Sequence, residues 1–305
     1  MTVIAVTGAT GTIGTAICQA LTARGDEVVA LSRDAERAQA VLGDAVTTFG
    51  WHDPTTAPPP AEALAGATAV IHLLGEPISQ RWSEGAKQRI RDSRILSTRM
   101  LVAGLRALPD DQRPAVLVSQ SATGFYGPSD DRELDEQAPS GTDFLAQVVI
   151  DWETEALAAS DIARVVLART GVVLSPSGGA LAKMLPPFKL GVGGPIAGGH
   201  QYVSWIHLDD EVAALLFCVD HAEMQGAVNL TAPNPVDNAE LSKGLGHALH
   251  RPSFLPVPGF AIGLLYGEMG SIVTTGQRVV PSRLLEAGFE FRQPAIEPAL
   301  RDILN

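Results

Sequence analysis

The sequence predicts a doubly wound α/β fold, a parallel sheet covered on both faces, with a smaller interleaved C-terminal lobe. Two observations predict it. Short continuous apolar runs alternate with helical patterns through the first half of the chain, as strands buried on both faces require. The first run also passes straight into three glycines spaced three apart, Val3-Ile-Ala-Val-Thr-Gly8-Ala-Thr-Gly11-Thr-Ile-Gly14. That pattern is built for a pyrophosphate. Gly8 permits the tight turn, Gly11 lets backbone approach the anion, and Gly14 lets the helix pack close to the strand.

Each element can be placed in order. Strands are expected at Val3–Val6, Val28–Leu31, Val46–Phe49, Ala69–Leu74, Ala115–Ser119 and Arg164–Ala168. The first helix is marked by Ile13, Ala16, Ile17, Ala20 and Leu21 at helical spacing, with Gly25 as its stop. Longer helical patterns fall near Ser83–Leu105 and Phe144–Ala159. After residue 170 the texture changes. The stretch Gly171–Gly199 is rich in Gly and Pro, too irregular for a continuous sheet and suited to a substrate-facing lobe or lid. Regular signals resume with a helix at Asp209–Val219 and a strand at Ala227–Leu230. Helices near Asn238–Leu249 and Phe260–Met269 then lead into a tail at Pro281–Leu304. We therefore expect residues 1–170, completed by 206–232, to form a dinucleotide-binding lobe. Residues 171–205 and 233–305 form the substrate lobe.

Bulk properties exclude several classes. A net charge of −12 disfavours a general attraction to nucleic acid or to an anionic membrane. No apolar run approaches membrane-spanning length, and no basic start precedes the first apolar stretch, so a cytoplasmic protein is expected. Cys18 and Cys218 lie within apolar helical patterns and read as core residues, with no disulfide or metal framework. Of the 22 basic residues only four are lysines: Lys87, Lys183, Lys189 and Lys243.

The end of the second strand selects the cofactor. An acidic side chain there would hydrogen-bond a ribose 2′-hydroxyl and repel a 2′-phosphate. This chain has Ser32 and Arg33 instead, a hydroxyl and a guanidinium suited to a phosphate, so NADP(H) is expected over NAD(H). Asp34 reads as a helix cap. The expected contacts are Gly8, Thr10, Gly11, Thr12 and Ile13 at the pyrophosphate, Ser32 and Arg33 at the 2′-phosphate, and Asp53 at the adenine. Leu74, Gly75 and Glu76 at the end of the fourth strand and Ser119 on the fifth complete the set. For Asp53 a turn before Pro54 is the competing reading.

From the glycine motif onward the chain resembles the extended short-chain dehydrogenase/reductases. More narrowly it is similar to an NAD(P)-dependent sugar-epimerase-like family with a distinctive C-terminal domain. The resemblance rests on Thr7–Gly14, Gly75-Glu-Pro77, Arg81-Trp82, Ser93-Arg94, Ser119–Gly127, Asp151-Trp-Glu153 and Arg169–Leu174. It continues through Gly178–Leu181, Ser204–Asp210, Asn229–Pro233, Arg251-Pro252 and Gly267-Glu268. It implies a Rossmann-type NADP-binding lobe with a substrate lobe, and an oxidoreductase or epimerase-like activity on an unspecified substrate.

The usual catalytic pair of that superfamily is missing. A Tyr-x-x-x-Lys on one helix normally exchanges a proton with the substrate oxygen while hydride moves. Here the residues four after the three tyrosines are Asp130, Ile206 and Gly270. Ser121 matches the serine that orients the substrate oxygen, and Tyr126 is the candidate acid, with a phenol expected near its ordinary pKa of about 10. His207 reads as structural, bridging to Asp209 or Asp210, and Trp152 and Trp205 as core. Lys87, Arg91 and Arg94 are expected on one solvated helix face. That basic face, with Arg81, Trp82 and Lys183, points to a small-molecule substrate that is anionic or nucleotide-linked. The other reading is a non-catalytic NADP(H)-binding sensor.

Overall fold

A single turn sets the geometry of the carboxyl edge. In the computed structural model, which describes residues 2–176 and 178–304, strand β1 (Val3–Thr7) turns at Gly8 into helix α1 (Thr12–Arg24). Gly8 has φ +67°, and a Cβ there would lie 2.8 Å from the Leu73 carbonyl oxygen. Gly14 is held closer still: a Cβ would sit 2.2 Å from the Gly8 carbonyl oxygen. The helix therefore packs against the turn with no room for a side chain. It ends as expected at Gly25, in the left-handed conformation.

The alternation continues with β2 (Glu27–Ser32), α2 (Ala35–Leu42), β3 (Val46–Gly50), β4 (Ala69–His72) and α3 (Glu84–Ala107). Asp34 caps α2 by accepting from the Arg37 amide, as read from the sequence. Then come β5 (Val116–Ala122), the two-residue β6 (Glu133–Leu134), α4 (Phe144–Leu157) and β7 (Arg164–Thr170). The second half contains β8 (Val172–Ser175), α5 (Gly179–Lys189), β9 (Tyr202–Val203), β10 (Trp205–His207), α6 (Leu208–Asp220), β11 (Gly226–Leu230) and β12 (Val236–Asp237). It closes with α7 (Asn238–Leu249), α8 (Gly259–Tyr266), α9 (Ser271–Thr274), β13 (Arg278–Val279), α10 (Ser282–Glu286) and α11 (Ile296–Leu304).

Seven strands form one parallel sheet in the order β11-β7-β5-β4-β1-β2-β3. The seventh strand comes from beyond residue 226, so the two halves of the chain are interleaved. One sheet face is covered by α1 and α6, with Ile17, Leu21, Leu215 and Cys218 in a core that also takes in Leu284 and Phe289 from the tail. The other is covered by α3 and α4, where Leu101, Leu105 and Ala156 pack on Val70, Leu117 and Leu167. A third core unites Leu174, Leu181, Leu185 and Phe188 with Trp205, Leu241, Leu245, Leu300 and Ile303. Both cysteines are buried free thiols, and burial pushes each up to about 12.

Two segments differ from expectation. The glycine-rich stretch holds a strand and a helix, β8 and α5, because Leu181, Leu185 and Phe188 recur at helical spacing and bury one face. Its two internal prolines, Pro186 and Pro187, fall in the last turn. The helix expected at Phe260–Met269 stops at Tyr266, since Gly267 adopts φ +64°. Among the described residues no helix is long and apolar enough to cross a membrane.

Candidate functional site

The site is built where β1, β4, β5 and β7 end. At β1 the N-cap of α1 is Gly11, which supplies no side-chain cap, and no acidic residue stands in the first turn. The first amides of a helix have no carbonyl partner within it, so they are left for an anion. A Cβ on Gly11 would meet only the Gly8 carbonyl oxygen, at 3.3 Å, leaving the outer side open. Thr10 and Gly11 are exposed, while Thr12 and Ile13 are half-buried. The cradle and the helix dipole fit a pyrophosphate.

At the end of β2, Ser32 Oγ accepts from the Asp34 amide at 3.3 Å, and Arg33 is exposed. His52 Nδ1 donates to the Arg33 carbonyl at 2.9 Å and ties this turn to the end of β3. Among the described residues the exposed Arg33 guanidinium has no partner, which leaves it available to a phosphate. Asp53 lies in a surface turn and accepts from the Thr55 hydroxyl at 2.7 Å and the Thr55 amide at 3.1 Å. These bonds hold its carboxyl below the usual range, the hydroxyl contributing most.

The loop after β4 is braced by α3. Arg94 Nη1 donates to the Glu76 carbonyl at 3.0 Å, its guanidinium lies 5.4 Å from the Trp152 ring, and a Cβ on Gly75 would come within 3.1 Å of it. Space beside Gly75 is thus filled by Arg94. The expected solvated basic face is absent: burial pushes Arg94 down to about 10, Lys87 pairs with Glu268 at 2.6 Å, and Arg91 pairs with Asp151 at 2.8 Å. The Glu76 side chain accepts from Gln80 at 3.1 Å, and Leu74 packs against the α3–α4 core. Arg81 is exposed, and Trp82 stacks edge-on against Phe144.

Beneath the loop, His72 is fully buried. The Thr98 hydroxyl donates to the Arg94 carbonyl and accepts from Trp152 Nε1, so the 3.0 Å contact with His72 Nε2 must be donated by the imidazole. The opposite ring nitrogen then accepts from Thr7 at 2.7 Å. His72 is a neutral Nε2–H tautomer, and burial pushes its pKa down to about 3.

β5 and β7 carry a connected polar chain. Ser121 stands opposite Arg169 in the sheet register and donates to Glu153 Oε1 at 2.6 Å. Arg169 closes on the same carboxylate through two bonds of 2.8 Å and donates to the Tyr126 hydroxyl at 3.1 Å. Tyr126 in turn donates to Asn229 Oδ1 at 2.7 Å. All five residues are 6% exposed or less, and the Arg169 guanidinium lies 3.4 Å from the Phe125 ring centroid. Burial raises the Tyr126 phenol above its ordinary value, and Arg169 and Asn229 offset this only in part. The near-ordinary phenol expected from the sequence is therefore not what the fold provides. Ser119, two residues before Ser121, is buried as well.

Sequence reasoning missed Glu153, Arg169 and Asn229. The signal was present: an arginine inside the otherwise apolar strand Arg164–Thr170 needs a buried counter-charge. His207 is buried and its Nδ1 accepts from the Asp209 amide, capping α6 as a structural histidine. Asp210 instead holds the Arg292 and Gln293 amides, at 2.8 and 2.9 Å. Trp152 and Trp205 are core.

An uncapped glycine turn between β1 and α1, under a seven-stranded parallel sheet, defines a Rossmann-type dinucleotide-binding protein. The chain belongs to the NAD dependent epimerase/dehydratase family, whose model matches residues 4–231. A domain of unknown function (DUF1731) matches residues 257–303. The chain is 42% identical over 309 residues to an Arabidopsis thaliana protein named epimerase family protein SDR39U1 homolog, chloroplastic, covering 99% of this chain and 86% of the relative. It is 42% identical over 301 residues to epimerase family protein Mb2239 of Mycobacterium bovis, covering 98% and 96%. The crystal structure of human epimerase family protein SDR39U1 (isoform 2) with NADPH superposes with a TM-score of 0.89 at 34% identity, covering 99% of both chains.

Proposed function

We propose that the chain binds NADP(H) along the carboxyl edge of its sheet and uses it in an oxidoreductase or epimerase-like reaction on a small anionic substrate. The observation that carries this is the uncapped, acid-free N-terminus of α1 together with the exposed Arg33 guanidinium, unpartnered among the described residues. In this reading Gly8, Thr10, Gly11, Thr12 and Ile13 hold the pyrophosphate, and Ser32 and Arg33 hold the 2′-phosphate. Asp53 lies toward the adenine, and Leu74, Gly75, Glu76 and Ser119 border the nicotinamide half. The human relative crystallised with NADPH supports the same choice of cofactor. Residues 1–170 with 206–232 serve the cofactor, and 171–205 with 233–305 shape the substrate side. Reduced, buried Cys18 and Cys218 agree with a cytoplasmic setting.

When bound, the nicotinamide supplies or accepts hydride. Ser121 is the group to orient the substrate oxygen and Tyr126 the group to exchange its proton. Arg169 replaces the missing lysine as the cation beside the phenol, at 3.1 Å. One observation favours a second reading, a non-catalytic NADP(H) sensor: the Tyr126 hydroxyl already donates to Asn229 and accepts from Arg169.

Calorimetric titration of NADPH and NADH tests the cofactor. NADPH should bind more tightly, and Arg33→Ala should weaken it by roughly tenfold or more. Equal affinities in the wild type would refute the assignment. A panel of carbonyl substrates, followed by loss of NADPH absorbance, separates the two functional readings. Turnover that Tyr126→Phe slows by roughly 10²–10⁴-fold supports the enzyme. Tight NADPH binding without turnover supports the sensor.

A further inference from the structure

Only four of the 22 basic residues of this chain are lysines. Two of them cross between the C-terminal segments and the dinucleotide-binding lobe. Lys183 lies on α5, whose Leu181, Leu185 and Phe188 are buried in the third core, and its ammonium donates to the Ser79 carbonyl at 2.8 Å and hydroxyl at 2.5 Å, in the loop after β4. Lys87, near the start of α3, pairs at 2.6 Å with Glu268, just beyond α8. At the entrance to α5, Gly178 rests on the first turn of α1: a Cβ there would lie 2.8 Å from Thr12 Oγ1. These contacts run along the carboxyl edge from the β1–α1 turn to the β4–α3 loop. A dinucleotide with its pyrophosphate on α1 and its nicotinamide toward β4 and β5 lies along that same edge.

The chemistry of the contacts differs from that inside the lobe. There, α3 is stitched to the segment from α4 to Asp161 by arginines with several bonds each: Arg99 grips Glu155 through two nitrogens, and Arg106 grips Asp161 through both carboxylate oxygens. Such forks hold geometry. A lysine makes a point contact through a flexible stem, and with Glu268 about half exposed the bond is readily exchanged for water. Planar guanidinium forks thus brace α3 within the lobe, whereas the contacts across to α5 and the end of α8 rest on flexible ammonium groups.

We propose that Lys183–Ser79 and Lys87–Glu268 are latches that hold α5 and the end of α8 closed over bound NADP(H), and that they open for the cofactor to exchange. The inference rests on the NADP(H) reading above. Lys87 and Lys183 act here as positioning residues, without contact to the reacting atoms.

Stopped-flow displacement tests it. Protein loaded with NADPH is mixed with excess NADP⁺, and the loss of NADPH fluorescence gives the dissociation rate. Lys87→Met and Lys183→Met should each raise that rate about 3–10-fold, and the double variant more, with association no slower. Glu268→Gln should match Lys87→Met, and the two combined should go no further, because they remove one bond. Raising the salt concentration should speed dissociation from the wild type more than from the double variant. Lys243→Met, an exposed lysine of α7, should leave the rate unchanged. A double variant that binds NADPH and releases it at the wild-type rate overturns the latch alone. A wild type that binds NADPH no better than Gly11→Val overturns both the cofactor reading and the latch.

Discussion

Replacing Glu211 by glutamine should stabilise this protein at neutral pH and abolish much of the pH dependence of its stability. Glu211, in the first turn of α6, is fully buried, and burial pushes its carboxyl up to about 8 from an ordinary 4.5. Its surroundings explain how a neutral acid is accommodated. Gln120 donates to the Thr170 hydroxyl at 2.6 Å, and that hydroxyl donates to Glu211 Oε1 at 2.8 Å. The remaining oxygens, Glu211 Oε2 and Gln120 Oε1, are buried acceptors with no donor among the described residues. A proton on Glu211 supplies the donor that these two acceptors lack. The unfolded chain releases that proton above pH 4.5 whereas the native state keeps it to about 8, so stability falls as pH rises between those values. At pH 7 the accumulated loss is roughly 3 kcal/mol. A glutamine amide reproduces the protonated acid, accepting from Thr170 and donating to Gln120, with nothing to titrate. Urea unfolding of wild type and Glu211→Gln from pH 5 to pH 9 gives the difference directly. It should be near zero at pH 5 and grow in favour of the variant to pH 8, where the variant melts roughly 6 °C or more above wild type. A variant less stable than wild type at pH 8, or a wild-type curve flat from pH 5 to 8, would refute the buried neutral acid.

Acid should act in the opposite sense through His72. Its folded pKa lies near 3 against 6.5 unfolded, so the stability it contributes is present above pH 6.5 and is lost as pH falls toward 3. His72→Gln should flatten that limb of the urea midpoint plotted against pH. Glu153→Gln should cost about 3–5 kcal/mol in chemical denaturation, because it leaves the Arg169 guanidinium buried without its counter-charge. Gly14→Ala should lower the melting temperature by an amount equivalent to about 1–3 kcal/mol, since its methyl would press on the Gly8 carbonyl oxygen and force α1 off the β1 turn.

What was legible in the sequence is what is local. The tight turn at Gly8, the close packing at Gly14, the Asp34 cap and the Gly25 stop each depend on neighbours within a few residues, and each stands as read. The alternation of apolar runs also gave the parallel sheet, including the strand that β11 adds after residue 226. The polar chain was hidden because its partners are distant in sequence. Ser121 meets Glu153 across 32 residues, and Tyr126 meets Asn229 across 103. Arg94 was misplaced for a different reason: helical spacing assigns a residue to a face, but only the β4–α3 loop folding over α3 decides that this part of the face is covered. Glu211, following Asp209 and Asp210 at the start of α6, carries no local sign of burial. Its burial comes from Gln120 and Thr170 on two separate strands.

The borrowed seventh strand has a consequence for how the molecule can be taken apart. Strand β11 pairs with β7 over five register positions, from Gly226–Val166 to Leu230–Thr170. A fragment ending near residue 205 would keep every residue of the glycine turn and yet leave β7 as a bare edge, with its ladder groups unpaired and Val166 and Ala168 stripped of their cover. Such a fragment invites strand addition from other chains. Nascent chain leaving a ribosome passes through this condition before residues 226–230 emerge, so the unfinished product is exposed to aggregation until the second half arrives. Expression trials that divide this chain at a presumed lobe boundary should therefore yield insoluble pieces, whereas co-expression of the two halves restores the missing edge.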